Sequence, residues 1–391
     1  MSATIAPPNE AVEIATSAET EDQVYRVLVA VSSPQRQLDP ALFKQIDWQD
    51  LLRQARHHSL SPLLAHRLLE SGVPVPRGIR TRLKSDFQSN LRRNFALLEE
   101  ALRIAGAFRH DEIDVMPYKG PVLAEQLWDS CALRECSDLD FLVKHADVNR
   151  AGSVLRNLGY VPVSPIRDSL RPIFVRNASE EQFQHPESNI LLELQWAPAP
   201  RAMAVDFDEE SLWRNKQTVT VAGESLAVPS PEDLFALLAI HGWKHNWSKL
   251  IWIADLAQLI RRHDLDWGRL HRLAARGGWI RMLRLAVAMV ERVYGSPETY
   301  ASIPDPRVAA LADRLTIDLR MARNHSYLEW HRDMLSARDD RFSQVRQLTN
   351  FFFTPGLADY ECVGFPSWVS SAYRLVRIAR LLRFGPRKGL E

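Results

Sequence analysis

Arg134 to Val143 reads RECSDLDFLV, and its second half decides how the middle of the chain is built. Asp138 and Asp140 stand one residue apart where an apolar run begins, although a chain entering a buried strand ordinarily sheds charge. Strand side chains alternate between faces, so the two aspartates point one way while Leu139, Phe141 and Val143 point the other. One face packs; the other carries two carboxylates about 7 Å apart along the strand. Like charges held that close attract a cation between them, and oxygen donors of this kind suit magnesium or manganese.

The same pattern recurs downstream in NILLELQW, Asn189 to Trp196. Ile190, Leu192, Leu194 and Trp196 fall on one face and leave Glu193 on the other, between Leu191 and Gln195. A carboxylate in an apolar strand is costly unless it binds a metal or pairs with a base. Glu193 is therefore a third ligand or an arginine's partner, and the ligand reading requires the two strands to be neighbours. Upstream, IDVMPY reads as a short strand and is followed by KGP. Gly120 lets the backbone come close to a ligand, Pro121 suits the first position of a helix, and helix N-termini attract anions. Lys119 adds a full positive charge. Alone, Lys-Gly-Pro after a strand is an ordinary turn; beside the aspartates it supplies a phosphate cradle next to a metal site. Arg134 either reaches a phosphate oxygen or forms an ion pair with Glu135 or an aspartate.

The surrounding chain divides by its periodicity. Residues 1–22 are acidic, with no Lys or Arg, and read as a disordered tail rather than a secretory signal. Apolar steps of three and four over 23–110 predict helices. Residues 111–228 alternate short strands with helices: VLAEQLW and about 146–158 are helical, and strands are expected near 160–163, 181–184 and 190–196. Residues 229–391 return to helices. The fold class is thus α/β (α+β), a short mixed sheet flanked by helical regions.

The run YKGPVLAEQLWDSCALRECSDLDFLVKHADVNRAGSVLRNLGY resembles the uncharacterised nucleotidyltransferase family of the polymerase-β-like superfamily. So do DWQDLLRQARHHSLSPLLAHRL before it and HGWKHNWSKLIWIADLAQLI, LDWGRL and FPSWVSSAYRLVRIARLLRFG after it. The resemblance covers most of the chain after about residue 45. It implies a nucleotidyltransferase fold with metal carboxylates at Asp138, Asp140 and Glu193, and a phosphate-facing turn at Lys119 and Gly120. The implied reaction moves a nucleoside monophosphate from a nucleoside triphosphate to an unidentified acceptor, a small molecule, peptide or other, with Glu193 or Asp140 as base. Two departures stand out. Superfamily enzymes carry Gly-Ser where this chain has Lys119-Gly120-Pro121, and many place His where it has Gln195. The alternative is a degenerate member that keeps the fold as a binding or scaffold module.

Further along, Ser230-Pro231 with Asp233 marks a helix start. His241 and His245 share a face at i, i+4, a zinc spacing, but Gly242 stands where the glutamate of His-Glu-x-x-His would be. With Lys244 they line an acceptor pocket, or they form a packed polar layer bonded to Asp255 or to backbone; Trp243, Trp247 and Trp252 read as core. Near the end, Arg374, Arg377, Arg380 and Arg383 recur at steps of three. They suit an anionic membrane, nucleic acid or a partner, or else a solvated face on a helix packed back onto the protein.

Composition excludes little. Lys plus Arg (49) nearly equals Asp plus Glu (48), so no global field draws the chain to nucleic acid. No apolar run reaches the roughly 20 residues of a membrane span. Three cysteines, Cys131, Cys136 and Cys362, in no metal spacing suggest free thiols in a cytoplasmic protein.

Overall fold

The structure, a computed structural model, describes residues 22–33, 38–295, 305–323, 325–363, 365 and 367–384. The expected acidic tail, but for Asp22, lies outside them. Four helices open the chain: α1 over 22–32, α2 Trp48–His57, α3 Ser61–Glu70 and α4 Arg77–His110. Asp47 starts α2 by accepting the N–H groups of Gln49 and Asp50.

The middle of the chain forms the sheet. Its strands are β1 Val115–Pro117, β2 Asp138–Val143, β3 Val161–Pro162, β4 Glu180–Gln184 and β5 Leu191–Gln195, in the order β1-β2-β5-β4-β3. β2 runs parallel to β5, and every other pairing is antiparallel, so the sheet is mixed. Helices α5 Gly120–Trp128, α6 Val148–Asn157, α7 Arg171–Asn177 and α8 Glu209–Arg214 lie between and after the strands. A separate hairpin, β6 Gln217–Val221 and β7 Glu224–Val228, closes this region. Its turn residues Ala222 and Gly223 both have positive φ, 50° and 86°, the two-residue turn whose twist suits paired strands.

Helices fill the rest: α9 Pro231–Lys244, α10 Leu250–Arg262, α11 Trp267–Gly277, α12 Ile280–Tyr294, α13 Pro306–Arg320, α14 Tyr327–Ser336, α15 Arg341–Phe353, α16 Leu357–Cys362 and α17 Tyr373–Phe384. The Ser230 hydroxyl accepts the Asp233 N–H at the start of α9. No described helix is long and apolar enough to cross a membrane.

Two apolar cores hold these elements. One joins α1 to α3 with α9, α10 and α12, so the first and last helical stretches pack on each other. The other lies between the sheet, the second half of α4 and the hairpin. Segment 116–128 belongs to both: Met116, Leu123, Leu127 and Trp128 enter the first, and Val122 and Ala124 the second. That double burial fixes the β1–α5 turn against both halves of the molecule, and each buried side chain of this size contributes about 1.5–3 kcal/mol. Trp243 and Trp247 are fully buried as expected. Trp247 also explains Gly242, because a Cβ there would stand 2.4 Å from its ring.

The four C-terminal arginines do not form one basic face. Arg377 is buried and reaches Asp359 at 3.1 Å; Arg380 reaches the same carboxylate at 2.6 Å. Asp359, fully buried at the start of α16, turns the middle of the arginine row inward. A broad membrane-facing arc is therefore not what this helix presents.

Candidate active site

β2 places Asp138 and Asp140 on one face, and the parallel register sets Asp140 opposite Glu193 on β5. The three carboxylates thus share a face of adjacent strands, the condition that the ligand reading required. β1, on the other flank of β2, delivers the Tyr118–Gly120 turn to the same place. Gly120 has φ +59°, and a Cβ there would lie 3.1 Å from the Asp138 carbonyl oxygen. Glycine is thus required both by conformation and by the close approach of the turn to β2.

Lys119 Nζ lies 2.5 Å from Asp140 Oδ1, and both side chains are buried. Gln195 Nε2 donates to Asp140 Oδ1 at 3.1 Å and to Glu193 Oε2 at 2.7 Å, while its own oxygen accepts from the Tyr118 hydroxyl. Gln182 Nε2 donates to Glu193 Oε1 at 3.3 Å, and the Ser137 hydroxyl donates to Asp138. The Gln195 amide thus orients two carboxylates at once. Sequence reading missed that role, although its position two residues after Glu193 put it on the right face.

The electrostatics follow from burial and crowding. Burial pushes the Asp140 carboxyl upward, Lys119 pulls it back, and Asp138 and Glu193 push it up again. Burial also opposes charge on Glu193, but Lys119, Lys244 and the Gln195 hydrogen bond outweigh it and hold its pKa below the ordinary carboxylate value. Burial would strip the proton from Lys119; Asp140 above all keeps it bound, well above the usual lysine range.

These groups face a cavity of about 740 Å³ that Lys119, Gly120, Arg134, Asp138, Asp140, Glu193, His241, Lys244 and His245 all line. The helical side of the cavity comes from the end of α9, the start of α10 and the loop before α14. Lys244 Nζ lies 3.5 Å from Glu180, and Lys249 Nζ reaches the Ser59 hydroxyl. The rings of His241 and His245 stand 4.7 Å apart and both contact Trp252. Trp252, expected in the core, is half-buried and lines the cavity instead. Burial first, then Lys119, holds the His241 imidazole well below its ordinary range; His245 is more exposed, and what burial it has, then Lys244, push it the same way.

Arg134 adopts the ion-pair alternative, with a partner other than Glu135. Its Nε reaches Asp255 Oδ2 at 3.1 Å, and Trp128 Nε1 donates to Asp255 Oδ1. Asp255 is thereby taken and does not bond the two histidines as one reading expected. Among the described residues no three His, Cys, Asp or Glu side chains stand as a ready metal cage. His241 and His245 have no third ligand for zinc, and Lys119 and Gln195 hold the carboxylates. The donor set itself, three hard oxygen ligands on one face with excess negative charge, fits a hard divalent cation. The three cysteines are free thiols, two of them buried.

None of the curated proteins matches the chain. The crystal structure of an antigenic nucleotidyltransferase-like protein from Paracoccidioides brasiliensis aligns with 14% identity and a TM-score of 0.32, over 60% of this chain and 95% of that one. A family model described as uncharacterised nucleotidyltransferase matches residues 44–295, a span that holds the sheet, the three carboxylates and the α9 and α10 part of the wall facing them. With more than half of its length inside that match, the chain belongs to the uncharacterised nucleotidyltransferase family.

Proposed function

We propose that the chain is an enzyme that transfers a nucleoside monophosphate from a nucleoside triphosphate to an acceptor hydroxyl or similar group. The observation that carries this reading is the convergence of Asp138, Asp140 and the register-matched Glu193 on one cavity beside the Lys119–Gly120 turn. Magnesium or manganese held by these carboxylates would neutralise phosphate charge and lower the acceptor's pKa. The chain's own groups do the rest. An acceptor oxygen forms the new bond to the α-phosphorus, its proton passes to Glu193 or Asp140, and the bond to the bridging oxygen breaks as pyrophosphate leaves. Gln195 and Gln182 hold the carboxylates in position, and Lys119, Lys244 and Lys249 supply positive charge along the path of the phosphates. His241, Lys244, His245 and Trp252 form the opposite wall, where the acceptor or the base would lie.

Incubating the purified protein with magnesium, each radiolabelled triphosphate in turn and cell extract should release pyrophosphate and leave label on an acceptor. Loss of that release in Asp140→Asn supports the assignment. The second reading, a binding module without turnover, rests on the Lys119 ammonium already seated on Asp140. Nucleotide binding without magnesium dependence or pyrophosphate release would favour it.

A further inference from the structure

A second cavity, of about 200 Å³, is lined by Arg176, Arg201 and Arg374 together with Ser370, Ser371 and Thr354. Among the described residues no Asp or Glu lies on its wall, and it shares no lining residue with the carboxylate cavity. Arg176 comes from the last turn of α7, Arg201 from the short helical turn Arg201–Met203 after β5, and Arg374 from the first turn of α17. Three chain segments thus each bring an arginine to the wall of one cavity.

Their neighbours behave differently. Arg171, on the same helix as Arg176, lies 2.6 Å from Glu181, and Arg377 and Arg380, on the same helix as Arg374, share Asp359. Acid is not scarce in a chain with a net charge of +1. Yet among the described residues Arg176, Arg201 and Arg374 have no ion pair and no side-chain hydrogen bond. Three guanidiniums around one small cavity repel each other, and an anion there relieves the repulsion while accepting directed, charge-assisted bonds.

We propose that Arg176, Arg201 and Arg374 form a second binding site, for a small phosphate-bearing anion. The three terminal oxygens of a phosphate match three guanidiniums better than the two oxygens of a carboxylate do. The cavity also exceeds the size of one phosphate ion, which leaves room for the first atoms of the group that carries it. The site joins α7 to the segment that leads into α17, so the bound anion ties the C-terminal helices to the sheet region.

The test titrates full-length protein, in chloride buffer, with inorganic phosphate and with phenyl phosphate in a calorimeter, alongside thermal melts. Wild type should show a site whose affinity falls at least tenfold in Arg374→Ala and in Arg201→Ala, is partly kept in Arg374→Lys, and survives in Lys119→Ala, which reports on the other cavity. Phenyl phosphate binding more tightly than phosphate identifies a phosphate ester as the ligand class, and equal affinity identifies free phosphate. The three side chains are exposed, so the variants should melt like wild type. Absence of binding by either probe, unchanged affinity in folded Arg374→Ala and Arg201→Ala, or loss in Lys119→Ala alone would each overturn the proposal.

Discussion

Asp140 on β2 and Asp255 on α10 are both buried, and each pairs with a buried base, Lys119 for the first and Arg134 for the second. Around Asp255 the charges balance: Arg134 and the Trp128 indole take its two oxygens. Around Asp140 they do not. Asp138 stands two residues away on the same face, Glu193 faces it across the strand pair, and against these three charges stands Lys119, with Lys244 acting on Glu193. A closed ion pair is an element of the fold. A crowded one, open to a cavity, is what the proposed cation site requires, and burial alone does not tell the two apart.

Opposite responses to substitution would sharpen that contrast. Asp255→Ala leaves Arg134 buried without its partner and should cost about 3–5 kcal/mol of stability, measured by urea unfolding. A loss as small as that of a surface change would break the comparison. Gly120→Val forces a β-branched residue to φ +59° and against the Asp138 carbonyl, which should cost about 1–3 kcal/mol. It should also lower nucleotide affinity in the fraction that stays folded, because the side chain blocks approach to the backbone.

Lys119→Ala should destabilise less than Asp255→Ala, by about 1–2 kcal/mol, since Asp140 can take up a proton where Asp255 is locked between two donors. Magnesium should raise the melting temperature of Lys119→Ala more than that of wild type, because the vacated place suits a cation. Triphosphate affinity of this variant should fall, and fall less at high salt, where screening already weakens the contact. Wild-type affinity independent of salt would remove Lys119 from the phosphate site.

A smaller effect concerns pH. Burial holds His58 down to about 3, so between there and 6.5 the unfolded chain binds a proton that the folded chain refuses. Its contribution to stability is complete above pH 6.5 and is lost as pH falls from there toward 3. Melts should therefore drop by roughly a few degrees from pH 7.5 to 5, and a flat profile would contradict the burial of this imidazole.

Much of this was legible in the sequence because period-two alternation is a local signal. DLDFLV and ILLELQW announced both the strands and the face on which Asp138, Asp140 and Glu193 stand. The β6–β7 hairpin was not foreseen: its turn is Ala222-Gly223 rather than the Asn-Gly or Asp-Gly that marks such turns strongly. Helix α7, seven residues long, is too short to show a period. Partnerships across the chain were not readable either. Arg134 and Asp255 are 121 residues apart, and Gln195 and Asp140 are 55 apart. Nor does a helical period say that a buried Asp359 will claim Arg377 and Arg380 and leave Arg374 outside.

The smallest expected change in stability bears most directly on the carboxylate cluster. Asp138→Asn removes one of three crowded negative charges, so the metal-free protein should melt at or slightly above the wild-type temperature. Calorimetric titration with manganese and a non-hydrolysable nucleoside triphosphate should then show tight, metal-dependent binding by wild type and its loss in Asp138→Asn. Equal binding by both proteins, or a variant that unfolds, would contradict a cation site at Asp138, Asp140 and Glu193.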